Sequence, residues 1–139
     1  MTNSLTGAIL NFYASSPNNA KLQADVGDGF YTDEMPFNTL RPYIEIEQTG
    51  THTYAECKAA GARGRIEDIM IAFNVYAKDR DTAEQILYDV EALFLNTTSR
   101  LTLDNYTHYT QYLENRVFAY DQYGWLGSCE IKYRLQNLQ

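Results

Sequence analysis

Two histidines, two cysteines, a scatter of serines and 18 acidic side chains are the residues of this chain that could do chemistry. His52 and His108 fall on segments read as loops, beside threonines and tyrosines. Neither forms an HxxxH pair or has a cysteine or carboxylate at ligand spacing, so both read as exposed loop histidines and no metal is expected. Cys57 and Cys129 are far apart and sit in no nucleophile or zinc signature, which argues against a disulfide framework and for a reducing compartment. The glycine pairs of GDG (Gly27–Gly29) and GARG (Gly61–Gly64) lack the strand-to-helix context and spacing that let backbone amides cradle phosphate, so they read as turns and no nucleotide cofactor is expected. Ser15, Ser16 and Ser128 lack a GxSxG setting. The acidic neighbours Asp33/Glu34 and Asp79/Asp81 stand at element ends, where capping and solvation account for them. The expectation is a protein that is not an enzyme.

The elements that would position a site are clearer. From Leu5 to Phe12 apolar residues recur at helical spacing behind Asn3 and Ser4, either of which can cap the first turn. A second short helix is expected from Asn19 to Val26, with Ala20, Leu22, Ala24 and Val26 as a weak stripe, ended by GDG. Phe30 and Tyr31 read as a short strand at the start of a connector in which Pro36 and Pro42 disfavour helix and central strand. Tyr43–Gln48 alternates, Ile44 and Ile46 on one face and Tyr43, Glu45 and Glu47 on the other. In Ile69–Tyr76 both faces are largely apolar, with Asn74 the exception, which predicts a strand covered on both sides.

The tract DTAE then predicts a helix capped by Asp81, with Glu84 completing a capping box. Its stripe is Ala83, Ile86, Leu87, Val90, Leu93 and Phe94, with Glu84, Gln85, Asp89 and Glu91 turned away. RLTLDN reads as a short strand, and TQYLENRVFAY and WLGSCEIKYRL flank the turn DQYG. In the last strand Trp125, Cys129, Ile131, Tyr133 and Leu135 share one face, and Ser128, Glu130, Lys132 and Arg134 the other. The expected fold is a single α+β domain over residues 1–139, a mainly antiparallel sheet with helices packed on one face.

Two segments stand out as contact candidates. Residues 49–65 read as a long loop, and within it Lys58, Arg63 and Arg65 make a locally basic arm in an acidic chain, with Tyr54 a further contact candidate. Tyr106, Tyr109, Tyr112, Tyr120 and Tyr123 concentrate before and within the final hairpin, suited to cross-strand pairing and to a subunit interface alike. The formal charge of -7 repels nucleic-acid phosphates and anionic membranes. The N-terminal stretch lacks the basic and long apolar regions of a signal peptide, and no run approaches a membrane span, so a soluble protein made in a cytoplasm is expected.

The order of an N-terminal helix, GFYTDEMPFNTLRPYIEIEQTG, a long loop, IAFNVYAKDRDTAEQILYDVEALF and a closing strand pair resembles the tail terminator or tail-completion proteins of long-tailed bacteriophages. The resemblance is carried by Phe30 and Tyr31, by Pro42-Tyr43 entering an alternating strand, and by Tyr76-Ala77 leading through Asp81 into a helix. It implies a small α+β domain that assembles as a homo-oligomer, a ring of about six copies, on the end of the tail tube. The major tail tube protein and a head-completion or connector protein would then be its partners, and DNA would meet it only by passing through the lumen, with no membrane involved. It further implies a virion protein of the tail or neck, assembled in the bacterial host's cytoplasm. Two other readings stay open: a connector or stopper ring of the neck, and a small-ligand-binding α+β module.

Overall fold

A computed structural model describes residues 4–16, 19–32, 40–54, 65–96, 101–104 and 106–137, with backbone alone for Tyr54, Arg65 and Asn137. Its elements run α1 (Leu5–Ser15), α2 (Ala20–Val26), β1 (Phe30–Thr32), β2 (Tyr43–Tyr54), β3 (Arg65–Ala77), α3 (Arg80–Phe94), β4 (Tyr106–Asp121) and β5 (Gly124–Asn137). The strands form one five-stranded sheet in the order β1-β2-β3-β5-β4. Only the short β1 runs parallel to its neighbour; the other pairings are antiparallel. The fold is therefore α+β, as the patterning predicts.

Helix α1 begins where the Ser4 hydroxyl accepts from the Gly7 amide, one of the four donors that a first turn leaves open. It lies over β1 and β2, α3 lies over β3 and β5, and α2 packs against α3. Between these helices and the sheet sits the core, in which Ile9, Ile44, Ile46, Ile71, Val75, Ile86, Leu87, Val90 and Ile131 are fully buried. Its centre is aromatic. Phe73 meets Phe94 at 5.0 Å between ring centroids, Phe94 meets Phe12 at 5.6 Å, and Tyr13 stacks on Phe30 at 4.4 Å.

The structure corrects several expectations. Strand β2 continues to Tyr54 and β3 begins at Arg65, so residues 49–54 and Arg65 are strand and not loop. The register shifts once, between Gln48 and Gly50, and this bulge keeps Gly50 and His52 opposite Met70 and Asp68. Antiparallel pairing carries this polar stretch although it has no apolar alternation to announce it. Residues 55–64, which include Lys58 and Arg63, lie outside the described residues.

The cap of α3 is Asp79, whose extended backbone lets its side chain accept from the Thr82 amide at 2.8 Å, and Asp81 sits inside the first turn. Glu84 pairs with Arg80 one turn back in place of closing a capping box. Residues 101–104 form no strand: Leu101 is buried, Leu103 packs against the core, and the Leu101 amide donates to His108 Nδ1 at 2.9 Å. His108 is thus a buried strand residue, and His52 an exposed one in β2. In α2 only Leu22 and Val26 are buried; Ala20 and Ala24 face out. Helices cover only one face of β3; on the other, Ala72 and Asn74 are shaded by longer side chains of the flanking strands.

Truncating the central ring tests this packing. Phe73→Ala should lower the unfolding free energy by about 3–5 kcal/mol, the range for removing a buried phenylalanine, measured by urea denaturation.

Candidate interaction surface

The sheet face without helices is a lattice of polar pairs. On β3 it presents Asp68, Met70, Ala72, Asn74 and Tyr76, flanked on β2 by His52, Gly50, Glu47, Glu45 and Tyr43, and on β5 by Arg134, Lys132, Glu130, Ser128 and Leu126. Each strand supplies these side chains at every second position, because the pleat sends the intervening residues into the core. Asp68 is 2% exposed and is held by Arg134 through two hydrogen bonds of 2.9 and 3.0 Å, the bidentate geometry that makes a shielded ion pair tolerable. Asn74 donates to Glu47 at 3.1 Å and accepts from the Ser128 hydroxyl at 2.8 Å. The bulge residue Thr49 donates to Glu130 at 3.1 Å. Lys132 reaches Glu114 at 3.4 Å and lies over the Tyr112 ring.

One end of this face is organised by Arg41. Its guanidinium donates to the Ala77 and Trp125 carbonyls at 3.1 and 3.4 Å, pairs with Asp121 at 2.9 Å and lies over the Tyr76 ring. Tyr76 stacks on Tyr43 at 4.8 Å, and Tyr31 meets Tyr43 edge-on. The β4–β5 turn is drawn against this hub: Asp121 also accepts from the Tyr123 amide, and Gly124 has φ 140°. A side chain at Gly124 would bring its Cβ within 2.3 Å of the Ala77 carbonyl, so both the conformation and the space demand glycine. Hydrogen bonds from Arg41 and the Tyr123 amide hold the Asp121 carboxyl below its ordinary range.

The predicted tyrosines do not form one face. Tyr112 stands on the open face, Tyr106 turns inward and packs against the core, and Tyr120 leans on Trp125 on the helix side at 5.5 Å. Tyr109 marks a bulge in β4 and donates through its hydroxyl to Gln136, and Tyr123 is at the turn. Tyr54 and Arg65 end β2 and begin β3 opposite Ile66 and Asn137, at the far end of the sheet from that turn. The structure thus spreads the candidates over two faces and both ends. Arg41, Asp68 and Glu91 are not among the residues that the sequence pattern singles out as contacts, and the pattern expects Glu91 on the wet side of α3. It is in fact buried, bound by Arg116 at 2.7–2.9 Å. Its one available signal was a position between Val90 and Leu93 on the edge of the apolar stripe.

The Cys129 thiol is fully buried and its pKa is pushed up to about 12, first by desolvation and then by Glu91. Tyr13 is likewise raised to about 12 by burial and by Asp28. Among the described residues no group of three or more His, Cys, Asp or Glu side chains is placed to hold a metal ion. A shallow groove of about 310 Å³ between α2 and α3 is lined by Asp25, Asp81, Thr82, Gln85 and Ile86. Burial and the facing Asp89 carboxylate push the Asp25 carboxyl up. No helix is long and apolar enough to cross a membrane among the described residues.

These features define a class: an α+β domain whose sheet keeps one face open and polar, with its charges largely paired within the chain. Comparison with protein-family models and with curated proteins finds no match. Comparison with solved structures finds similarity to a chain in the virion of a native gene transfer agent (GTA) particle, with a TM-score of 0.73, 16% identity and 96% of each chain covered. The two chains share this fold along nearly their whole length.

Two measurements check the electrostatics. Arg41→Ala leaves two carbonyls and a carboxylate without their shared donor and should cost about 2 kcal/mol in urea denaturation, the scale of hydrogen bonds to a charged group. The Asp121 carboxyl should titrate at higher pH by NMR in that variant. Asp25→Asn should raise Tm at neutral pH. A raised folded pKa means the carboxyl favours the fold when protonated and loses that contribution as pH rises through the folded value, so the gain should vanish as pH falls below the ordinary carboxyl value of 3.8.

Proposed function

We propose that this chain is a structural component of a phage-like particle, and within it a tail terminator: a ring that caps the tail tube, ends its growth and offers a surface to the head. The observation that carries the reading is the end-to-end fold similarity to a chain of a gene transfer agent virion, 96% of each chain at a TM-score of 0.73. The surface agrees with an assembly role: the Cys129 thiol is buried, whereas the sheet face without helices carries a broad array of polar side chains.

In this reading the subunits close into a ring through heterologous contacts, one patch of each meeting a different patch of the next. The tube protein binds one rim and a head-completion protein the other. The net charge of -7 makes the ring acidic, so DNA crossing the lumen is repelled from its wall and does not adhere. The basic segment bearing Lys58, Arg63 and Arg65 remains a contact candidate toward an acidic neighbour.

Light scattering over a wide concentration range, with negative-stain imaging in the presence and absence of tail tubes, tests the proposal. The expected result is a ring of about six subunits that sits on tube ends. Rings that ignore tubes but bind portal complexes would instead identify a neck connector or stopper. A monomer that neither assembles alone nor binds either partner, and whose Tm rises with a small molecule, would identify a ligand-binding module.

A further inference from the structure

Strand β4 is the last strand of the sheet, and among the described residues no strand pairs with its outer side. It is 16 residues long and contains no proline. Monomeric proteins protect such an edge with bulges, lysines, prolines or inward-pointing charges, because its free N–H and C=O groups invite another strand. Two bulges, at Tyr109 and Glu114, do interrupt the first part of β4. From Asn115 to Asp121 the pairing with β5 runs without a shift, and the stretch holds no lysine or proline; its one charge on the helix side, Arg116, is taken up by Glu91.

Its charges are also spent. Each acidic or basic side chain of β4 is already engaged within the chain: Glu114 by Lys132, Arg116 by Glu91 and Asp121 by Arg41. Beside the edge lies a belt of aromatic rings and guanidinium groups. Arg80 lies over both Phe118 and Trp125 at 5.3 and 5.4 Å, Tyr120 leans on Trp125, and Arg116 lies over the half-exposed Tyr88. Arg80 and Arg116 are neutralised by Glu84 and Glu91, so the belt carries no net charge. Tyrosine, tryptophan and arginine in this arrangement are the composition of an interface centre.

We propose that the outer edge of Asn115–Asp121, with this belt beside it, is the surface on which a second copy of this chain docks. Charge selects that occupant. Copies that each carry -7 repel one another over most of their surface and approach most easily where every charge is already compensated. The inference rests on the ring reading and assigns one of the two patches a heterologous contact needs.

The test compares the wild type with Val117→Lys/Tyr120→Lys, which places two lysines on the edge at side chains that are 50% and 75% exposed and outside the core. Circular dichroism and thermal melting check that the variant is folded. Light scattering, with and without tail tubes, should show the concentration for half-assembly rising at least about tenfold, the equivalent of one lost contact of moderate strength. Amide hydrogen exchange on the unaltered protein gives a second readout: 115–121 should gain protection in the assembled form over the dissociated one. A folded variant that assembles like the wild type, or assembly without added protection at 115–121, would overturn this assignment and leave the ring standing. A wild type that stays monomeric at every concentration and on tubes would overturn the ring and this contact together.

Discussion

The meeting of Phe73 and Phe94 is the contact on which the rest of the fold depends. Phe73 projects from the central strand β3 and Phe94 from the last turn of α3, and their rings also receive Phe30 and Phe12 from β1 and α1. Elements from both ends of the first two thirds of the chain therefore share one apolar centre. Burying large rings against a single sheet face draws all three helices to that side. The opposite face is left to water or to a partner.

That constraint explains the polar lattice. The outward side chains of a sheet flanked by helices on one side only are polar, and here they pair across strands: Asp68 with Arg134, Asn74 with Glu47 and Ser128, Lys132 with Glu114. Each pair joins residues distant in sequence, so each helps to specify register as well as surface chemistry. Arg41 performs the same task at one end of the sheet, tying the entry of β2 to the end of β3 and the start of β5.

What was legible in the sequence was what depends on periodicity. The stripe of α3, the alternation of Ile44 and Ile46, and the division of β5 into buried and wet sides follow from residue spacing alone, and the structure has all three. The misplacements came where a distant partner decides. Polar residues 50–54 extend β2 because β3 pairs with them; Leu101 and Leu103 pack on the core without joining the sheet. Asp79 takes the cap from Asp81 because its own backbone is extended and its carboxylate reaches the Thr82 amide. Glu91 carries only the faint signal of its place on the edge of the apolar stripe, and Arg41 carries none, since a guanidinium bridging three segments is invisible until those segments are brought together. The abundance of tyrosine is plain in the sequence, but two bulges in β4 and a turn divide the tyrosines between faces, and bulges leave little trace in composition.

The buried thiol of Cys129 has a consequence for durability. Burial pushes its pKa up to about 12, so at neutral pH the group is the neutral thiol and not the reactive thiolate. Oxidants act on the thiolate and need access to it, and here both are withheld by the same packing that fills the space beneath α3. A folded copy of the chain in air-saturated water would keep this sulfur in its original state without a reductant to maintain it.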